Sequence, residues 1–277
     1  MAIRDHSVTG ETFQLWECRD CTLRFTQDVP DTSSIGRYYQ SAAYISHTNT
    51  RAGFINKLYH IVRNRTLGQK KKLICGSTGL QTGKLLDIGA GAGAFAAYMK
   101  NAGWQVTALE PDASTRKKAL EEYRLNMLPA ESLFELDSAQ FDAITLWHVL
   151  EHVHDLHGYL AQLKKLLKPS GFIYIAVPNY TSYDAAKYAA DWAAYDMPIH
   201  LYHFSPKAMN KLLGIHQLRL KEMRPMWFDS FYVSLLSEKY RTGKQQLLKG
   251  FMSGLVSNVK ASTDKSRCSS LIYVVRP

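Results

Sequence analysis

The chain predicts an α/β fold: a doubly wound sheet of largely parallel strands with helices on both faces. Two observations carry this. From Lys84 to Val177 short β-branched apolar runs alternate with helical patterns, and parallel strands need such crossovers. At the head of that alternation, "KLLDIGAGAGAFAAYMKNAG" passes from an apolar strand through a glycine turn into a helix.

In chain order, residues 1–35 form a small β unit. "FQLWECRDCTLRFTQDVP" alternates apolar and polar residues, carries Cys18 and Cys21 in a C-x-x-C knuckle and stops at Pro30, which reads as a hairpin or half of a zinc ribbon. Residues 36–83 are a helical, amphipathic lead-in with aromatic residues Tyr38, Tyr39 and Tyr44, closed by the glycine-punctuated "TGLQTG". The main domain, 84–277, has strand-like runs at 84–88, 105–109, 124–128, 142–147 and 172–177. Helical runs lie near 92–102, 113–122 and 154–168. After Pro178 the rhythm breaks: a loop containing "YDMPIHLYHFS" leads to a helix near 205–214 and a strand near 218–225. An insertion at about 227–262 holds two helices, 229–240 and 244–261, before the final strand "SLIYVVR".

Bulk properties narrow the function classes. With 277 residues, 46% hydrophobic and 21% charged, the chain can bury a full-sized core. No apolar run approaches the roughly 18 residues that span a bilayer, and no signal-peptide core is evident, so no membrane partner is expected. Only two of the four cysteines are close in sequence, and a reducing, cytoplasmic setting is expected. The net charge is +10, with six Lys or Arg and no acid from Lys57 to Lys72. From Lys207 onward there are thirteen Lys or Arg against four acids. Such asymmetry suits nucleic acid or an anionic substrate. A solvated basic face with an exposed helix explains it better, and the aromatic signature of an RNA-binding sheet is absent, so nucleic acid is not the expected partner.

Gly89, Gly91 and Gly93 allow a ligand to approach the backbone where a Cβ would clash. With Ala94 they also satisfy the dinucleotide fingerprint, and Glu110, 21 residues after Gly89, suits ribose hydroxyls in either case, so a nicotinamide dehydrogenase competes. Asp87, two residues before Gly89, faces a pyrophosphate poorly and suits an ammonium group. "ALEPD", "FDAITLWHVLEHV" and "LKKLLKPSGFIYIAVPN" follow in order.

On these segments, from Leu85 to about Asn179, the chain resembles the class I S-adenosylmethionine-dependent methyltransferases, Rossmann-like enzymes. The resemblance implies a seven-stranded sheet whose last strand is antiparallel. It also implies that Asp87, Gly89, Ala90, Gly91 and Gly93 hold the methionine part of S-adenosylmethionine. Glu110 would bind the ribose, with Pro111 and Asp112 beside the adenine. Ala130 and Glu131 occupy the adenine-edge position, where many relatives carry aspartate, and Trp147 and His148 would flank the sulfonium. The bland alternatives are a turn cap for Asp87, a core role for Trp147, and turn stabilisation for Glu151 and His152.

Methyl transfer needs alignment and, for an oxygen or nitrogen nucleophile, a base, which directs attention to His148, His200 and His203 as catalytic candidates, with His152 beside them. His200 and His203 could instead be metal ligands, but no acid or cysteine near them in sequence completes a set, so no metal is expected. Tyr38, Tyr39 and Tyr44 would belong to a lid over the cofactor, or to a core. Cys18 and Cys21 resemble the second knuckle of a zinc ribbon found in some relatives, including sugar C-methyltransferases. Here no cysteine precedes them and Thr22 replaces the usual glycine. The expected activity is methylation of a small-molecule acceptor, with O-methylation favoured and sugar C-methylation as the alternative. A second class stays open: a non-catalytic protein that keeps the cofactor fold and binds RNA or a protein partner through its basic surface.

Overall fold

A computed structural model of the chain describes residues 1–39 and 54–277, with only the backbone described for 54–62. Tyr44, one of the three lead-in tyrosines, therefore lies outside the described residues. The chain divides into two compact units. Among the described residues one unit comprises 1–39, His148–Leu156 and Ile175–Val274, and the other 54–147, His157–Tyr174 and Val275–Pro277.

The expected alternation is present. Helix α1 (Phe54–Thr78) leads into β4 (Lys84–Ile88), α2 (Ala94–Asn101), β5 (Gln105–Leu109), α3 (Ala113–Tyr123), β6 (Phe141–Trp147), α4 (Leu156–Leu166) and β7 (Leu167–Pro178). β4 pairs in parallel with both β5 and β6. It is covered on both faces, with Leu85, Leu86 and Ile88 essentially inaccessible, as a central parallel strand must be. Asp112 caps α3, accepting from the Thr115 N–H at 2.7 Å.

The main sheet has six strands among the described residues, in the order β5-β4-β6-β7-β10-β9, where seven were expected. β9 is Arg219–Pro225 and β10 is Ser270–Arg276. The missing strand is 124–128. Arg124 turns into the left-handed region at φ 52° to end α3, and only Leu128 reaches the sheet, as a single parallel bridge to Leu109. Five residues leave too little chain for both a helix stop and a ladder.

A second sheet, of order β1-β2-β3-β8, is built from β1 (Ala2–Arg4), β2 (Thr12–Glu17), β3 (Arg24–Thr26) and the two-residue β8 (Tyr202–His203). The N-terminal hairpin thus extends through Arg24↔His203 and Phe25↔Tyr202 into the "PIHLYHFS" segment. Ile3 and Leu15 share a core with Tyr188, Trp192, Tyr195 and Met197. The knuckle cysteines occupy the β2–β3 turn. Thr22, standing where a knuckle commonly has glycine, adopts φ 63° and donates its N–H to the Cys18 carbonyl at 2.9 Å. Hydrogen bonds from Cys21, then from the Asp20 N–H, lower the pKa of the Cys18 thiol.

Helix α5 (Tyr183–Tyr188) is followed by α6 (Pro206–Ile215), which starts with Ser205 as cap and proline in its first turn. The insertion is a helical hairpin, α7 (Asp229–Thr242) and α8 (Leu247–Thr263). α8 turns its small residues inward: Gly250, Ser253, Gly254, Ser257 and Ala261 are buried, while Leu248, Phe251 and Val259 are exposed. A Cβ on Gly254 would stand 2.8 Å from the Phe231 Cα, so the two backbones approach as closely as glycine permits.

Candidate active site

Two groups of polar residues stand out, each within one unit. The first lies at the carboxyl ends of β4, β5 and β6. Register places Asp87 of β4 beside Thr145 of β6, and the Thr145 hydroxyl donates to Asp87 Oδ1 at 2.7 Å. Oδ2 is buried and has no hydrogen-bond partner among the described residues. Burial raises the Asp87 pKa to about 6, against the Thr145 bond and the nearby Lys70 ammonium, which favour the carboxylate. This carboxylate is therefore no turn cap. It is desolvated and half-satisfied, which costs stability unless a donor or cation completes it.

The glycine turn follows. Gly91 has φ 53° and open space where its Cβ would lie, whereas Gly93, at φ 80°, is pressed against Ala119, Leu125 and Met127. A side chain at Gly91 would intrude into free space; one at Gly93 would break the packing of α2 on α3. The Ala90 N–H donates to Leu109, tying the turn to β5. Glu110 accepts from the Gly91 N–H at 2.9 Å through one oxygen and from the Asp112 N–H at 3.1 Å through the other. Burial raises its pKa, with those two N–H groups opposing. A carboxylate accepts about four hydrogen bonds, so each oxygen keeps capacity for a hydroxyl donor. Pro111 and Asp112 are exposed beside it. Ala130 and Glu131 open a short 3-10 helix two residues past the Leu128 bridge, which carries them to the rim next to Glu110, with Glu131 exposed. Trp147 ends β6 with its ring edge-on to Phe95 at 5.5 Å and its Nε1 buried without a partner among the described residues. Lys70 of α1 holds its ammonium 4.0 Å from the Trp147 ring centroid. A cation thus already rests on this indole and acts on Asp87. Lys70 and Thr145 carried no sequence signal beyond their helix and strand.

The second group is a cluster of histidines and acids. His148, directly after β6, takes the left-handed backbone at φ 57°, a costly conformation for a residue with a side chain. Its Nε2 stands 3.1 Å from Asp229 Oδ2, and its Nδ1 stands 3.4 Å from Glu151 Oε1. Burial favours the neutral ring, but the two carboxylates, Asp229 foremost, prevail and push the pKa up to about 10. His148 is thus an imidazolium at neutral pH, with both nitrogens engaged. Glu151 is lowered in turn, the His148 contact outweighing burial.

His152 and His200 stand edge to face with ring centroids 4.6 Å apart. Burial, then His200, lowers the His152 pKa to about 4; burial also lowers His200. His203 is 4% exposed, its Nε2 lies 3.3 Å from the Thr26 hydroxyl, and burial holds its pKa well below the ordinary value. The structure therefore brings His148, Glu151, His152 and His200 together, with His203 at the edge facing Thr26. Asp229, 81 positions after His148, had no sequence signal. Tyr39 reaches this cluster, its hydroxyl 3.2 Å from His152 Nδ1, while Tyr38 is core, packed edge-on to Phe13.

A family model described as a methyltransferase domain matches residues 60–222. A ubiquinone biosynthesis O-methyltransferase of Maricaulis maris is 32% identical over 170 residues, a match covering 55% of this chain and 64% of that protein. The chain therefore spans a little less than two thirds of that relative. Among solved structures, a SAM-dependent methyltransferase from Archaeoglobus fulgidus aligns with a TM-score of 0.52 at 18% identity, over 78% of this chain and 94% of that one. Phosphoethanolamine N-methyltransferase 2 of Haemonchus contortus, solved with S-adenosyl-L-methionine, aligns with a TM-score of 0.53 at 16% identity, over 92% and 62%.

Proposed function

The chain belongs to the methyltransferase-domain family, and from that premise we propose that it is an S-adenosylmethionine-dependent methyltransferase acting on a small-molecule acceptor. The observation that carries the reading is the buried, unpartnered Oδ2 of Asp87 at the mouth of the glycine turn. Such an atom calls for a cationic donor, and the amino group of the cofactor's methionine part is one. Gly91 leaves room for the ligand beside it. Glu110, already fixed by two main-chain N–H groups, accepts the ribose hydroxyls with its remaining lone pairs. Pro111, Ala130 and Glu131 line the adenine end. Trp147 holds the Lys70 ammonium over its ring, and a sulfonium would bind that face in place of the lysine.

When bound, S-adenosylmethionine supplies a methyl carbon activated by the sulfonium. The chain's share is alignment, exclusion of water and handling of the acceptor's proton. His148, as an imidazolium between two carboxylates, suits holding a charge in place. His200, neutral and with one ring nitrogen unspent, suits taking a proton; His203 keeps its partner Thr26. O-methylation is the favoured outcome, since an acceptor hydroxyl needs such a base and the curated relative is an O-methyltransferase. The same reading carries an antiparallel β10. It assigns acceptor choice to the 36–83 lead-in, the "YDMPIHLYHFS" loop and the 227–262 insertion. The four thiols, all free, fit a reducing cytoplasm. No helix among the described residues is long and apolar enough to cross a membrane.

Incubating the protein with methyl-labelled S-adenosylmethionine and fractionated metabolite extracts tests the reading. Label should move to a small molecule, and replacing His200 by glutamine should slow it. Label confined to hydrolysis of the donor, across all fractions, would reject the catalytic reading in favour of a binding protein.

A further inference from the structure

His152 and His200 are oriented in the same way. His152 Nδ1 lies 2.9 Å from the Ile199 carbonyl, and His200 Nδ1 lies 2.9 Å from the Ala194 carbonyl. A carbonyl has no proton to give, so each Nδ1 is the donor and each neutral ring keeps its lone pair on Nε2. Metal-binding histidines are held in this manner, with the second ring nitrogen donating to a carbonyl that fixes tautomer and orientation.

Between them stands Glu151, 1% exposed. Its Oε1 meets His148 Nδ1 in a long ion pair of 3.4 Å, and its Oε2 has no hydrogen-bond partner among the described residues. Leaving a buried carboxylate in that condition is costly. One ligand atom from each of Glu151, His152 and His200 lies within 4.8 Å of the other two. The carboxylate's one charged partner is His148, and a cation held by Glu151 together with the two Nε2 lone pairs would complete all three groups.

We propose that Glu151, His152 and His200 bind a divalent first-row transition ion, such as zinc, cobalt or iron(II), with coordination positions left open. Two imidazoles and one carboxylate form the set that open, reactive sites use for such ions. Bonds of about 2.1 Å place ligands of a tetrahedral ion roughly 3.4 Å apart, so atoms that lie within 4.8 Å of one another need close by no more than about 1.4 Å on binding. His200 thereby finds its partners 48 and 49 residues upstream, in His152 and Glu151, and not in His203. Resting on the methyl-transfer reading, the ion would replace His200 as the agent that readies the acceptor, since it occupies the His200 Nε2 lone pair: an acceptor hydroxyl in an open position would have its pKa lowered.

The test uses the full chain stripped with a chelator and titrated with cobalt(II), followed by visible absorption, with zinc as competitor. One equivalent of cobalt should bind, giving ligand-field bands of a nitrogen–oxygen site and no thiolate charge-transfer band, and zinc should displace it. The spectrum should persist when Cys18 and Cys21 are both serine. Glu151→Gln and His200→Gln should each weaken binding at least tenfold while S-adenosylhomocysteine still binds to Asp87 and Glu110. Absence of a saturable cobalt or zinc site in the wild-type chain overturns the proposal, whatever the variants do. So does a spectrum lost with the cysteines, or one unmoved by Glu151→Gln. Failure of S-adenosylhomocysteine to bind, with cobalt still held, would count against the methyltransferase reading and not against this site.

Discussion

Replacing Asp87 by asparagine sets folding against cofactor binding. The carboxyl titrates at about 6 in the fold, against a model-peptide value of 3.8, because it is buried. Raised in the folded state, it stabilises the fold only while protonated. That stability is present below the unfolded value and is lost as pH rises from about 4 to about 6. Above that window the ionised group costs roughly 3 kcal/mol, at about 1.4 kcal/mol per tenfold change in proton affinity. Asparagine removes this cost and its carbonyl can still accept from Thr145, as Oδ1 does at 2.7 Å. Its amide N–H then occupies the unpartnered position of Oδ2, at a cost of about 1–2 kcal/mol. The ligand-free variant should therefore gain about 1–2 kcal/mol at pH 7.5, some 2–8 °C in melting temperature, and gain nothing at pH 4.5. Loss of the charge-assisted contact should weaken S-adenosylhomocysteine binding about 10- to 100-fold. Differential scanning calorimetry at the two pH values, with titration calorimetry at pH 7.5, reads both. A variant less stable than wild type at pH 7.5, or one that binds the ligand undiminished, would refute the reasoning.

Further outcomes follow from the second group, from the hairpin and from α6. His148, raised to about 10 by Asp229 and Glu151, contributes stability that is full below its unfolded value near 6.5 and is lost as pH rises through 10. Because its side chain is 36% exposed, solvent screens the pairs, and His148→Gln should cost about 1–2 kcal/mol at pH 6. Urea unfolding should show that deficit shrinking at pH 10.5; an equal deficit at both pH values would dismiss the ion-pair account. Gly254→Ala puts a Cβ 2.8 Å from the Phe231 Cα and should lower stability by about 1–3 kcal/mol. Gly214→Ala, with nothing within 4 Å, should gain up to about 1 kcal/mol from helix propensity. Equal melting temperatures for the two variants would mean α7 and α8 do not pack as described.

Elements with local signatures were legible in the sequence. β4, the glycine turn and α2 are written in one stretch, and α6 is marked by Ser205 and Pro206. The 124–128 run read as a strand because its apolar content is a strand's. The space it was given is consumed by the turn at Arg124. Asp87 and Glu110 could be named because each sits beside a motif. Thr145 and Lys70 could not, since one depends on strand register and the other on where α1 lies. The histidine cluster shows the limit most clearly. His200 and His203 are neighbours in sequence, which suggested a pair, yet the extended "HLYH" backbone sends them to different partners, Ala194 and Thr26. The acid that completes the set, Glu151, came from a turn 49 residues earlier, a contact only the fold creates.

Titration calorimetry with S-adenosylhomocysteine, on the wild-type chain and on Glu110→Ala, tests the central claim most directly. Saturable one-to-one binding at sub-millimolar concentration is predicted, weakened at least tenfold in Glu110→Ala because the ribose loses its acceptor. No binding by the wild type, or NAD(H) bound in its place, would contradict the account.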